Sequence, residues 1–318
     1  MKKRTLLAIA HGVVTAAVLS CAGPAAPSAT PPPGAPLPAT PQPPAPVACS
    51  TPGVSCFGIN NYIEYIPGDL PIVISVPHGG ALTPASIPNR TVGTTVTDSN
   101  TIELARAIST ALATRAGRTP HLVVVHLRRT KLDANREVVE GAAGNAEAIR
   151  AWTEYHAFVA QAMEASRQRS GTGFYIDLHG HGHAKQRLEL GYLLSASTLD
   201  GTDQQLNASS VAAASSLRLI AQSSPLPFSA LLRGPTSLGG LLEPAVPSVP
   251  SPSIPTPGAD DYFNGGYSTS RHTTILPGLQ IECNFTGIRD SANSRASFAG
   301  NLVRALAAFA QTHLGLTF

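Results

Sequence analysis

Short β-branched runs, separated by longer stretches with apolar residues at helical spacing, are the feature that most constrains this chain. Ile72-Val73-Ile74-Ser75-Val76, His121 to Leu127 and Phe174 to Leu178 are short and nearly continuous in apolar residues, so they read as strands buried on both faces. Between and after them lie helical patterns. Thr101 to Ala116 follows an Asp98-Ser99-Asn100 cap signal, Asn145 to Arg169 is a longer amphipathic stretch, and Ala296 to Leu314 closes the chain. A fourth strand, Leu279 to Asn284, follows Pro277-Gly278. Strands alternating with helices predict an α/β fold, a three-layer α/β/α sandwich around a mostly parallel mixed sheet. Pro244 to Pro257 holds six prolines and reads as a surface excursion, either a mobile loop or a lid.

The pattern does not extend to the N-terminus. Lys2, Lys3 and Arg4 precede an apolar stretch from Thr5 to Leu19, the order of a secretory signal over residues 1–20. Val18-Leu19-Ser20-Cys21 resembles the lipobox of bacterial lipoproteins, which makes Cys21 the expected lipidation site and the lipid the expected link to a membrane. Twelve of the 28 prolines fall between Pro24 and Pro52, mixed with small residues that cannot bury enough apolar area to offset their ordering. Residues 21–54 therefore read as a tether, and 55–318 as the folded domain. Export permits Cys49 and Cys56 to pair, which leaves Cys283 as a buried thiol in an apolar strand. The balance of 22 Lys+Arg against 19 Asp+Glu, a net charge of +3 without a basic block, argues against a nucleic-acid surface. No apolar run beyond the N-terminus approaches the roughly 20 residues that span a bilayer.

The chemistry gathers at strand ends. In open α/β sheets ligands bind beyond the carboxyl ends of the strands. There the chain has Pro77-His78-Gly79-Gly80, then Asp177-Leu178-His179-Gly180-His181-Gly182-His183, and Glu282-Cys283-Asn284. Two histidines on glycine-flanked turns and a carboxylate at a third position are the parts of a zinc site with an open coordination position. His179 is the expected ligand of its group. His181 and His183 are placed as residues supporting the ligands or touching substrate, beside a plain structural role.

Four segments together, Ser75-Val76-Pro77-His78-Gly79-Gly80, Leu132-Asp133-Ala134-Asn135-Arg136, Ile176-Asp177-Leu178-His179-Gly180-His181 and Gln280-Ile281-Glu282-Cys283-Asn284, resemble the N-formylglutamate amidohydrolase family. Asn264-Gly265-Gly266-Tyr267 looks like that family's glycine-rich substrate loop. The resemblance implies a phosphorylase/hydrolase-like fold, similar to the zinc carboxypeptidases, with one zinc per chain. It implies His78 and His179 as ligands with a carboxylate between them in sequence. The position three residues after His78 is Ala81, so Asp98 is the expected third ligand and Glu103 the fallback. An N-cap is the competing role for Asp98. Glu282 fits the general base, beside a structural ion pair as its alternative. Arg128 or Arg129 would stabilise an oxyanion, and Arg136 with Asn135 would grip a substrate carboxylate. Tyr267, Arg271 and His272, together with His181, are expected to line the substrate pocket, with Glu189 and Tyr192 nearby.

These readings predict an exported, zinc-dependent amidohydrolase acting on a small carboxylate-bearing amide such as an N-formyl or N-acyl amino acid. The alternatives are a carboxypeptidase-like hydrolase of cell-wall or γ-glutamyl peptides, and a lipoprotein that only binds its ligand on the same fold. No Gly-x-Ser-x-Gly elbow supports a serine hydrolase.

Overall fold

The structure, a computed structural model, describes residues 49–318. The signal at 1–20, Cys21 and most of the tether at 21–54 lie outside the described residues. In chain order the elements are β1 (Cys56–Phe57), β2 (Ile63–Ile66), β3 (Leu70–Val76), α1 (Thr101–Ala116), β4 (Pro120–Val125), α2 (Val138–Ala142), α3 (Ala146–Ser170), β5 (Phe174–Gly180) and β6 (Leu188–Gly191). Six short helices, α4 to α9, follow at Ala196–Leu199, Asp203–Leu206, Ser209–Ala214, Arg218–Ala221, Phe228–Arg233 and Leu238–Leu242. Then come β7 (Ser248–Val249), α10 (Tyr267–His272), β8 (Gly278–Cys283) and α11 (Ala292–Leu314).

The strands form one sheet in the order β1-β2-β4-β3-β5-β8-β6-β7. The inner four, β4-β3-β5-β8, are parallel, while β2 runs antiparallel to β4 and β6 antiparallel to β8. Side-chain alternation divides the core in two. Ile72, Ile74, Leu122, Val124, Ile176, Leu178, Leu279 and Ile281 pack with Leu104, Ile108 and Leu112 of α1 and Leu302, Leu306 and Phe309 of α11. Val73, Val123, Val125 and Tyr175 pack on the other face with Trp152, Tyr155, Phe158 and Met163 of α3. Each such fully buried side chain stabilises the fold by roughly 1.5–3 kcal/mol. The result is the three-layer α/β/α sandwich with a mostly parallel mixed sheet.

Local chemistry sets the helix ends. The Asn145 side chain accepts the Glu147 and Ala148 N–H groups at the start of α3, and Ser291 accepts that of Ser294, so α11 begins at Ala292 rather than Ala296. The cap expected before α1 is different. Asn100 occupies that position in a left-handed conformation (φ 65°) without a side-chain cap bond, and its amide reaches the Arg289 carbonyl at 2.9 Å. Asp98 is thereby free of capping and turns into the interior.

The proline-rich stretch Pro244 to Pro257 is exposed over much of its length but is built into the sheet at its middle. Its centre, β7, pairs parallel with β6 and closes the sheet, with Ser248, Val249 and Ser251 buried. Proline is tolerated there because an edge strand has one side free of ladder bonds. Packing is already established at Cys49, ahead of the expected boundary at 55: Cys49 is buried, accepts a bond from Gln161 and is disulfide-linked to Cys56. Cys283 is a free, buried thiol. Among the described residues no helix is long and apolar enough to cross a membrane.

Candidate metal centre

Alternation along the inner strands gives one face of the sheet a polar end. Ser75 of β3 is the register partner of Asp177 in β5, Asp177 of Gln280 in β8, and His179 of Glu282. β5 continues as a strand through Gly180, so Asp177 and His179 share a face and the turn begins later than the glycines suggested. His78 arrives from the turn after β3. That turn needs glycine, because a Cβ at Gly80 would collide with the His126 and Leu127 backbone. Asp98 comes from the loop before α1, held to the first turn by its N–H to the His78 carbonyl at 3.1 Å.

These segments bring three donor atoms into a nearly equilateral triangle. His78 Nδ1 lies 3.1 Å from His179 Nδ1, His78 Nδ1 lies 3.4 Å from Asp98 Oδ2, and His179 Nδ1 lies 3.3 Å from Asp98 Oδ2. Ligands about 2.0–2.1 Å from a tetrahedral zinc stand about 3.3 Å apart, so the edges match one face of such a tetrahedron. All three side chains are buried. Asp98 Oδ2 also accepts the Gly180 N–H at 3.2 Å. Glu103, the fallback ligand, is exposed on α1.

Each imidazole is aimed by its other nitrogen. His78 Nε2 contacts Asp133 Oδ1 at 2.7 Å, and His179 Nε2 contacts Asp177 Oδ1 at 3.2 Å. A proton on each Nε2 leaves each Nδ1 lone pair directed at the centre. Asp133 and Asp177 had no assigned role in the sequence reading, although Asp177 stands two residues before His179 and Asp133 opens the Asp-x-Asn-Arg motif. Asp177 is fixed in turn by the Ser75 hydroxyl at 2.9 Å and that of Thr269 at 3.0 Å. Asn135 Nδ2 sits 3.4 Å from His179 Nε2, and its Oδ1 accepts the Ser268 N–H at 2.7 Å.

The electrostatics favour a cation. Burial acts to raise the carboxyls of Asp98, Asp133 and Asp177, but His78 and His179 beside Asp98, His78 and Arg129 beside Asp133, and His179 with the Ser75 and Thr269 hydroxyls beside Asp177 outweigh it and hold all three below the usual carboxylate range. Burial acts to lower His179, yet Asp177, Asp98 and Glu282 raise it well above the ordinary imidazole value. Three buried carboxylates and two buried imidazoles thus meet at one point, a setting whose negative charge a divalent cation would balance. Glu282 behaves differently. Burial, with Asp98, Glu189 and Asp177 nearby, pushes its carboxyl up to about 8 against the opposing pull of His179. Its Oε1 accepts from Gln280 at 2.9 Å, while its buried Oε2 has no protein partner. No ion pair engages Glu282 among the described residues, against the structural alternative.

Of the two candidate arginines, Arg129 faces the centre, with Nε 3.0 Å from Asp133 Oδ2 and a terminal nitrogen 3.5 Å from Asp98 Oδ1. Arg128, expected as the alternative, does not face it: the residue is exposed, with its N–H bonded to the Leu82 carbonyl at 2.9 Å. Arg136 lies at a half-exposed rim, paired with Glu140 at 3.3 Å. Tyr267 and Arg271 join that rim, where the Arg271 guanidinium lies over the Trp152 and Tyr267 rings. His272 does not line a pocket. It stacks on His156 beneath Tyr175, its Nε2 2.9 Å from His156 Nδ1, because the apolar α3 face covers it. His181 is likewise held by its own turn, between the Arg187 carbonyl and the His183 N–H, and Tyr192 belongs to the core beside α1 and α11.

Arg289 carried no sequence signal. Buried just beyond β8, it donates to the carbonyls of Ser99, His181 and Cys283. Those residues adjoin Asp98, His179 and Glu282, so one guanidinium ties together the three segments that supply them. Gly180 is glycine for the same reason: a Cβ there would strike the Arg289 guanidinium.

No family model and no curated protein matches the chain. It is similar to solved structures. An N-formylglutamate amidohydrolase from Ralstonia eutropha aligns at 16% identity and TM-score 0.46, over 78% of this chain and 95% of that one. A gene product of Agrobacterium tumefaciens aligns at 15% identity and TM-score 0.43, over 78% and 94%. A succinylglutamate desuccinylase from Chromobacterium violaceum aligns at 14% identity and TM-score 0.35, over 81% and 66%.

Proposed function

We propose that this chain is an exported, zinc-dependent amidohydrolase that cleaves the C–N bond of a small carboxylate-bearing amide, such as an N-formyl or N-acyl amino acid. The observation that carries the reading is the triangle of His78, Asp98 and His179, with a separate aspartate behind each imidazole. Two nitrogens and one oxygen suit zinc and leave a coordination position open. Zinc, when bound, supplies Lewis-acid polarisation of a carbonyl and acidification of a water.

The chain's own residues do the rest. Glu282 presents an unpartnered carboxylate oxygen on the strand position beside His179, and a carboxyl raised towards neutrality is suited to take a proton from the attacking water and return it to the leaving nitrogen. Arg129, oriented by Asp133 and Asp98, supplies positive charge where an oxyanion develops. Asn135 links the centre to the rim at which Arg136 and Arg271 offer planar guanidinium groups to a substrate carboxylate. The signal-like N-terminus and Cys21 support export and lipid anchoring, and membrane contact through that lipid alone.

Glu282→Gln tests the assignment. Zinc content is expected to match the wild type, while kcat for amide hydrolysis, read on a panel of N-formyl and N-acyl amino acids, falls about 10²–10⁴-fold. Unchanged kcat in that variant would contradict it. Faster cleavage of short γ-glutamyl or cell-wall peptides on the same panel would select the peptidase reading.

A further inference from the structure

The connection between β5 and β6 carries a second group of donors. Glu189 is fully buried in β6, as the register partner of Glu282. Its Oε1 lies 2.8 Å from His183 Nδ1, its Oε2 accepts the Phe263 N–H at 2.8 Å, and no lysine or arginine pairs with it among the described residues. A buried carboxylate without a cation is costly, and a lone histidine is weak compensation. His181 stands beside this pair. Its Nε2 is 2.8 Å from the Arg187 carbonyl, which places the ring proton there and leaves Nδ1 as a lone pair, met only by the His183 N–H at 3.2 Å. The donor atoms of His181, His183 and Glu189 all lie within 4.8 Å of one another.

We propose that His181, His183 and Glu189 form a second divalent-cation site, distinct from that of His78, Asp98 and His179. Two imidazoles and a carboxylate select a borderline cation of the zinc type over calcium or magnesium. The site is built to receive one. The Arg187 carbonyl sets the His181 tautomer by accepting from Nε2, as the hydrogen-bond partners behind metal-bound histidines do. Phe263 stacks on the His183 ring with centroids 4.5 Å apart, and the His183 side chain is 19% exposed, which gives an entry path from solvent. Binding replaces the His183–Glu189 hydrogen bond with two bonds to the ion, the His183 ring proton moving from Nδ1 to Nε2, and the His181 Nδ1 lone pair turns from the His183 N–H to the ion. The ion would then pin the turn after His179 and the Phe263 segment to the strand opposite Glu282. This inference does not depend on the hydrolytic reading.

The test is zinc content of the full chain after dialysis against zinc alone, with thermal midpoints on the same samples. Two zinc per chain are expected in the wild type, and one each in His183→Ala, Glu189→Gln and His179→Ala. Zinc should still raise the midpoint of His179→Ala, and should fail to do so in His179→Ala/His183→Ala. Glu189→Gln is isosteric and keeps the test valid if His183→Ala does not fold. One zinc in the wild type, unchanged by His183→Ala and Glu189→Gln, overturns the second site and leaves the first standing. A second zinc that survives both substitutions lies elsewhere and overturns it as well. Loss of hydrolysis in Glu282→Gln is a separate outcome and bears only on the first centre.

Discussion

Asp133 and Asp177 never meet the centre directly. They act through the Nε2 nitrogens of His78 and His179, at 2.7 and 3.2 Å, and so determine which nitrogen of each ring keeps its lone pair. Replacing either by asparagine keeps the shape and removes the charge. Asp133→Asn and Asp177→Asn are each expected to weaken zinc binding about 10–100-fold, read by competition with a chelating dye. Unaltered affinity would mean that the rings are oriented by packing alone. His78 and His179 were legible as candidate ligands from their glycine-flanked turns and strand-end positions, whereas Asp98 was expected only from the family resemblance. Their supporting carboxylates were less so, because a fully buried aspartate gives no sequence signal beyond the motif that contains it, and its service to a histidine 55 residues away is a property of the fold.

At the scale of elements, the inner strands and three long helices could be read because each has a clear period: continuous apolar runs for β3, β4, β5 and β8, and a 3.6-residue stripe for α1, α3 and α11. The edge strands and the six short helices between β6 and β7 could not. Two-residue strands and helices of four to six residues carry too few periods, and β7 sits among prolines that argue locally for a loop. Arg289 belongs to this scale, since its three carbonyl bonds join the α1 loop, the β5 turn and the end of β8. Arg289→Met is expected to lower zinc affinity by about 10-fold or more, with Arg289→Lys recovering part of it. A Met variant that binds zinc like the wild type would reduce Arg289 to a structural residue.

For the whole molecule, the α3 face of the sheet hides a titratable pair whose effect is global. Burial, together with nearby Arg271, lowers His272 from 6.5 to about 4, and burial with His272 and Arg271 lowers His156 to about 2. Unfolded, both take protons near 6.5. Between pH 6.5 and about 4 the unfolded chain therefore binds more protons than the folded one, and stability falls as pH falls. His272 alone contributes a loss on the order of 3 kcal/mol. Glu282, raised to about 8, works in the opposite direction over part of that window, so the effect is read as the difference between wild type and His272→Gln in urea unfolding. A pH slope identical in the two chains would contradict the buried neutral pair. The central claim, that His78, Asp98 and His179 hold a catalytic cation, is tested most directly by zinc content and amide hydrolysis measured on the same samples of wild type, Asp98→Ala and His179→Ala. Each variant is predicted to lose one equivalent of zinc and at least about 10³-fold in hydrolysis together, whereas full hydrolysis by a zinc-depleted variant would contradict the account.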